Sequence, residues 1–220
     1  THSMQNNNKL KWKQENAKKE YKTKIKKIIS YINTGDIFQT NNTHRFTAKK
    51  PDDLSDNLFY LIFRNKTKTP FSAFLNFGDV SVCSFSPERF IKVDNLKVTT
   101  SQSKGTVKTS SNKIRDNDLK ENLIKSEKNL AENLMIVDVL RNDISKICIK
   151  GSVKVKALAE LRSYNNVHHL VSTIRGNLKS RKDILKLLIS CLPGGSVSGA
   201  PKIRAMEIIS ELEKSKRGVY

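Results

Sequence analysis

The stretch FSAFLNFGDVSVCSFSPERFIKVDNLKVTT, residues 71–100, decides the fold class. Short runs rich in aromatic and β-branched residues (Phe71–Phe77, Val80–Phe85, Phe90–Val93, Leu96–Thr99) alternate with the turn pairs Gly78-Asp79 and Asp94-Asn95. That rhythm predicts antiparallel strands joined by tight turns. Phe59–Phe63 is read as another strand of the same sheet region.

Outward from this core the period changes from two to 3.6. On the N-terminal side Tyr21, Ile25, Ile28, Ile29 and Ile32 recur at helical spacing, with Gly35 as a stop signal. On the other side Leu119, Leu123, Leu130, Leu134, Val137 and Leu140 predict one long amphipathic helix over 117–142. Ile147–Val155 then reads as a strand pair around Lys150-Gly151, Val167–Ile174 as a strand, Ile184–Leu192 as a helix, and Ile203–Leu212 as a helix opened by Pro201. Helix, many strands, long helix, strands and helices fit an α+β architecture better than alternating βαβ units. Residues 1–20 are a polar, lysine-rich lead-in expected to fray, and 21–220 form the catalytic part.

Forty-one Lys and Arg against 21 Asp and Glu give a net charge of +20. The lysines lie along the whole chain, interleaved with Asn and Ile, so the charge argues for no nucleic-acid-reading face. No apolar run reaches the ~20 residues of a membrane helix, and neither a signal sequence nor a membrane partner is expected. Cys83, Cys148 and Cys191 are far apart without Cys-x-x-Cys spacing, which fits a reducing cytoplasm better than a disulfide framework or zinc site.

The most distinctive local feature is GGSVSGAPK, residues 194–202. Three glycines and a proline in nine positions permit close backbone approach just before a helix. Two readings stay open: a cradle for an anionic ligand, or a tight helix-opening turn without one. It is not a P-loop, because the Gly-Lys-Ser/Thr ending is absent.

Seven segments in order resemble the chorismate-binding enzymes, among them anthranilate, aminodeoxychorismate, isochorismate and salicylate synthases. They are GDIFQTN from Gly35, FSPERF from Phe85, KGT from Lys104, SEKNLAENLMIVDVLRND from Ser126, VHHLVSTIRG from Val167, PGGSVSGAPKIRAMEII from Pro193 and RGVY from Arg217. The resemblance implies the chorismate-binding, anthranilate synthase component I-like α+β fold, with two packed antiparallel sheets and surrounding helices. Chorismate and Mg²⁺ would lie between the sheets.

Within that family Gln39 stands where water-using members carry a lysine base, and an amide has no basic pKa with which to deprotonate water. Lys104 stands where anthranilate synthases typically have alanine. Together they imply the aminating, aminodeoxychorismate-type branch, which makes 4-amino-4-deoxychorismate for folate synthesis, with the anthranilate type as runner-up. A non-catalytic basic module is the alternative from another class. Lys104 would be the nucleophile on the chorismate ring and Glu88 the acid for the departing hydroxyl. His169 would lie near the ring, with His168 on the opposite strand face.

The resemblance further implies substrate contacts from Gln39, Gly105, Thr106, Gly195, Ser196, Ser198 and Gly199, and a Mg²⁺ ligand in Glu132. Without the resemblance, Lys104 is one surface lysine among many and Glu88 the partner of a strand-end salt bridge with Arg89. Glu132 is then a solvated helix residue, and His169 a satisfied core histidine. Two departures from the family pattern are Gln102-Ser103 in place of Pro-Ile and Asn129 in place of a further acidic residue. No glutaminase signature is present, so ammonia is expected from a separate glutamine amidotransferase. The family pattern also implies further segments before Tyr21 and after Tyr220, carrying a second metal carboxylate and a pyruvyl-carboxylate clamp. These 220 residues alone are therefore expected to be inactive.

Overall fold

The computed structural model describes residues 10–164 and 166–218. The elements in chain order are β1 (Lys13–Gln14), α1 (Lys18–Asn33), β2 (Gln39–Thr40), β3 (Phe46–Thr47), α2 (Asp56–Thr67), β4 (Phe71–Asn76), β5 (Ser81–Ser86), β6 (Lys92–Asp94) and β7 (Lys97–Lys108). They continue with α3 (Lys113–Lys125), α4 (Glu127–Ser145), β8 (Lys154–Ser163), β9 (Val167–Asn177), α5 (Asp183–Cys191), β10 (Gly199–Ala200) and α6 (Lys202–Leu212). Every strand pair is antiparallel. The central sheet has the order β6-β7-β9-β8, and three strand pairs, β1-β3, β10-β2 and β4-β5, surround it. The α+β class holds, with one four-stranded antiparallel sheet and three two-stranded ones among the described residues where two packed antiparallel sheets were expected.

The β6-β7 hairpin turns on Asn95 and Leu96, both at positive φ (46° and 65°), which matches the twist of the flanking strands. The main core lies between the central sheet and α4, where Val98, Ile136, Val137, Leu140, Ile144 and Ile174 meet Leu187 and Cys191 of α5. A second core joins α1 to α6 through Ile28, Ile37, Ala205, Ile208 and Leu212.

Four sequence expectations change. The single helix over 117–142 is two helices, because Ser126 is extended (φ −70°, ψ 102°) and its Oγ accepts from the Asn129 amide as the N-cap of α4. Its buried stripe is also rotated: Leu130 and Leu134 are exposed, while Asn133, Ile136, Val137, Leu140, Asp143 and Ile144 face inward. Phe59–Phe63 is helical, since Ser55 caps α2 through the Leu58 amide and the turn brings Tyr60 onto Phe74 and Phe85. The expected strand pair over Ile147–Val155 is a turn as far as residue 153, in which the Ile149 amide donates to the Asn177 carbonyl, and the strand begins at Lys154.

The lead-in expectation changes too. Residues 1–9 lie outside the described part, but β1 pairs with β3, and buried Asn16 accepts from Lys24 Nζ at 2.8 Å. No helix among the described residues is long and apolar enough to cross a membrane.

Candidate active site

Strand β7 carries the centre of the site. Thr100, Gln102 and Lys104 alternate onto the face toward α4, and Gly105 follows at a bulge in the β7-β9 register. Gly105 has φ 75°, and a Cβ there would lie 3.0 Å from both Asn129 Cγ and Leu123 Cδ1. Helix and strand therefore approach at a distance only glycine tolerates. The Lys104 carbonyl accepts from Asn133 Nδ2 at 3.2 Å; Asn133, 1% exposed, also donates to the Asn129 carbonyl and accepts from Ser172 Oγ at 2.9 Å.

Glu88 sits in the β5-β6 loop, in mutual hydrogen bonds with Ser86 (3.1 and 3.3 Å). Its Oε1 accepts from the Ser103 amide at 2.9 Å. Burial pushes its carboxyl above the usual range, against the downward pull of the Ser103 bond and the nearby Lys104 ammonium. Arg89 lies over the Phe71 ring at 4.8 Å, and among the described residues Glu88 has no ion pair within 4 Å. The salt-bridge alternative for Glu88 is thus not what the geometry shows.

The two histidines separate as strand alternation requires. His168 is 2% exposed, with Nε2 on Asp116 Oδ1 at 2.9 Å and Nδ1 on Ser163 Oγ at 2.8 Å. Lys120 first and His168 second hold the Asp116 carboxyl well below its ordinary range. His169 faces the other way, its Nδ1 2.7 Å from Thr106 Oγ1 and its ring edge-on to Tyr164 at 5.8 Å. Burial lowers its pKa and favours the neutral imidazole.

The 194–202 loop lies against β2. Ala200 pairs with Gln39 and Gly199 with Thr40; a Cβ at Gly199 would overlap the Gln39 carbonyl and come within 2.7 Å of Ala205 Cβ. A Cβ at Gly195 would lie 2.8 Å from Val139 Cγ1 of α4. The amides of Val197 and Ser198 donate to Gly194 and Gly195 carbonyls, and the Ser198 hydroxyl donates to Gly194 at 2.8 Å. Much of the loop's donor capacity is spent inside the loop, which favours the helix-opening reading for residues 197 and 198. Ser196 borders the cavity that also holds Glu88.

A cavity of about 1150 Å³ is lined by Gln39 and Glu132 with the apolar Phe38, Met135, Val139 and Met206. Asp143 at its edge is already neutralised by Lys202 (2.8 Å) and Lys146 (3.4 Å). Among the described residues no group of three or more His, Cys, Asp or Glu could hold a metal. Glu132, with no ion pair there, fits Mg²⁺ only as one carboxylate in a shell completed by water and substrate.

Sequence reasoning missed Asn133, Asp143 and Lys202. The first two are polar residues on a stripe judged by apolar residues alone, although Asn133 directly follows Glu132 in LAENLM.

Acid, amine and imidazole held around one antiparallel sheet belong to an α+β enzyme. The sequence profile described as chorismate binding enzyme matches residues 1–220, and the chain belongs to that family. It is 40% identical over 209 residues to aminodeoxychorismate synthase component 1 of Escherichia coli (strain K12), covering 95% of this chain and 46% of that protein. To anthranilate synthase component 1 of Aquifex aeolicus (strain VF5) it is 37% identical over 209 residues, covering 95% and 42%. The crystal structure of anthranilate synthase component I from Streptococcus pneumoniae TIGR4 superposes with a TM-score of 0.84 at 35% identity, over 96% of this chain and 46% of that one. The chain spans less than half the length of these relatives.

Proposed function

We propose that this chain is part of the aminating subunit of an aminodeoxychorismate synthase, converting chorismate and ammonia to 4-amino-4-deoxychorismate and water for folate synthesis. The observation that carries this reading is that the Ser103 amide fastens Glu88, a carboxyl whose pKa burial raises, to the strand position next to Lys104. The reaction would use Lys104 as a neutral amine and Glu88 as the carboxylic acid. The amine forms a C–N bond to the ring while the 4-hydroxyl takes the Glu88 proton and leaves as water. Ammonia then forms the new C–N bond at C4, the bond to Lys104 breaks, and the lysine is regenerated.

Neutral His169, held by Thr106, would orient the ring through a hydrogen bond without adding charge. Gln39 supplies no base for water, which favours amination over hydroxylation. Glu132 would hold Mg²⁺, and the ion when bound supplies positive charge against a substrate carboxylate. Ammonia would come from a separate glutamine amidotransferase, as the name component 1 of the Escherichia coli relative accords with.

A second reading, anthranilate synthase component 1, is favoured by the Aquifex aeolicus relative and the Streptococcus pneumoniae structure. Mass spectrometry of the complete reading frame with chorismate, Mg²⁺ and ammonia, beside Lys104→Ala, separates the two. A para-amino product with a Lys104-dependent adduct is expected; an ortho-amino product establishes the second reading.

A further inference from the structure

Gln102 is buried, 3% exposed, and neither its Oε1 nor its Nε2 has a hydrogen-bond partner. A buried amide with both functions unmet costs several kcal/mol unless something occupies its donor and acceptor. Beside it lies a cavity of about 250 Å³, bordered by Glu88, Gln102, Ser196, Phe90, Leu140 and Val197. The space is several times the ~30 Å³ share of a water molecule.

The chemistry of the lining selects the occupant. The Ser103 amide is spent on Glu88, the Arg89 guanidinium at the rim stacks on the Phe71 ring, and the Glu88 carboxyl beside it offsets its charge, so the lining does not single out an anion. Phe90, Leu140 and Val197 form an apolar wall unsuited to a hydrated cation. An amide that offers one donor and one acceptor, beside the free Oε2 of Glu88, is met by a small neutral molecule able to give and receive hydrogen bonds. Gln102 and Lys104, two residues apart on one face of β7, stand about 7 Å from each other along the strand.

We propose that this cavity is a subsite for a small neutral hydrogen-bonding molecule, and that the molecule is ammonia, held between Gln102 and Glu88 within reach of the Lys104 side of the site. The identity of the molecule rests on the amination reading. The ammonia lone pair accepts from Gln102 Nε2, and its hydrogens donate to Gln102 Oε1 and Glu88. Gln102 is thus a binding residue for the second substrate, bordering the same cavity as Glu88 and Ser196.

The test uses the protein from the complete reading frame, with Gln102→Met, an unbranched replacement of similar length, and Gln102→Asn. The first readout is the ¹⁵N–¹H signal of the Gln102 side-chain amide, assigned by its loss in Gln102→Met, during titration with NH₄Cl or KCl at pH 9. A saturable shift with NH₄Cl alone is expected. The second is steady-state kinetics with ammonia as nitrogen source: in Gln102→Met the KM for ammonia rises about tenfold or more while that for chorismate stays within about twofold. Equal shifts in the two salts, or an unchanged ammonia KM in folded Gln102→Met, overturn the subsite. If Gln102→Met does not fold, the wild-type titration and Gln102→Asn decide. An ammonium-specific shift without an amino product retains the subsite and sinks the amination reading; an amino product with unchanged ammonia KM does the reverse.

Discussion

The Ser103 amide donates to Glu88 Oε1 at 2.9 Å, fastening a loop carboxyl to the strand position next to Lys104. A carboxyl left on a free loop would be solvated and ordinary in its pKa. Fixed against β7 and partly desolvated, it is displaced upward, in the direction that favours a proton-donating carboxyl.

That displacement has a stability consequence opposite to the usual one for carboxylates. With its folded pKa above the unfolded value, protonated Glu88 contributes stability below the unfolded pKa, and the contribution is lost as pH rises through the folded value. Glu88→Gln removes this titration. Its thermal midpoint is expected to equal or exceed wild type at pH 7, with the advantage vanishing near pH 4. Activity falls about a hundredfold or more for want of the acid, as amine formation at several pH values will report.

Asn133 joins helix, strand and sheet through one amide. Asn133→Leu leaves the Lys104 carbonyl and the Ser172 hydroxyl without their partner. Each unmet buried group costs about 1–3 kcal/mol, so a loss of about 2–5 kcal/mol in urea unfolding is expected. Ser172→Ala in the same background is expected to return none of it, because Ser172 Oγ also accepts from the Ala159 amide at 2.9 Å and its removal orphans that donor.

Glu88, Lys104 and His169 were singled out by short motifs of the family resemblance, and alternation along β9 distinguishes His169 from its neighbour. The strand rhythm of 71–100 was legible for the same local reason. Asn133 and Asp143 were not, since an apolar stripe cannot register a polar residue whose partners come from 29 and 59 positions away. The break at Ser126 lay in one hydroxyl that the leucine spacing on either side outweighed. The helix over 56–67 was hidden because a five-residue apolar run satisfies both periods, and only the Ser55 cap favours one.

The two neighbouring histidines should fail differently. His168→Ala strips Asp116 and Ser163 of a buried partner and lowers the thermal midpoint by several degrees. His169→Ala, at a less buried position, leaves the midpoint within about two degrees and lowers amine formation. Calorimetry beside a product assay separates the pair, and equal destabilisation by both would contradict the assignment of His168 as the structural histidine.

The ion pair between Asp143, 1% exposed, and Lys202 Nζ at 2.8 Å ties the end of α4 to the start of α6, where Lys202 also donates to the Cys191 carbonyl at 3.3 Å. Removing one partner of such a pair strands a buried charge, whereas removing both charges can be nearly neutral. Lys202→Met is therefore expected to cost about 3–5 kcal/mol, reduced by whatever Lys146, at 3.4 Å, can supply. Asp143→Asn combined with Lys202→Met should recover more than half of that loss. Urea unfolding of the two single variants and the double variant gives the coupling directly. Simple addition of the single losses would show that the pair does not act as a unit, and the 194–202 loop would then be held by its pairing with β2 and its other hydrogen bonds.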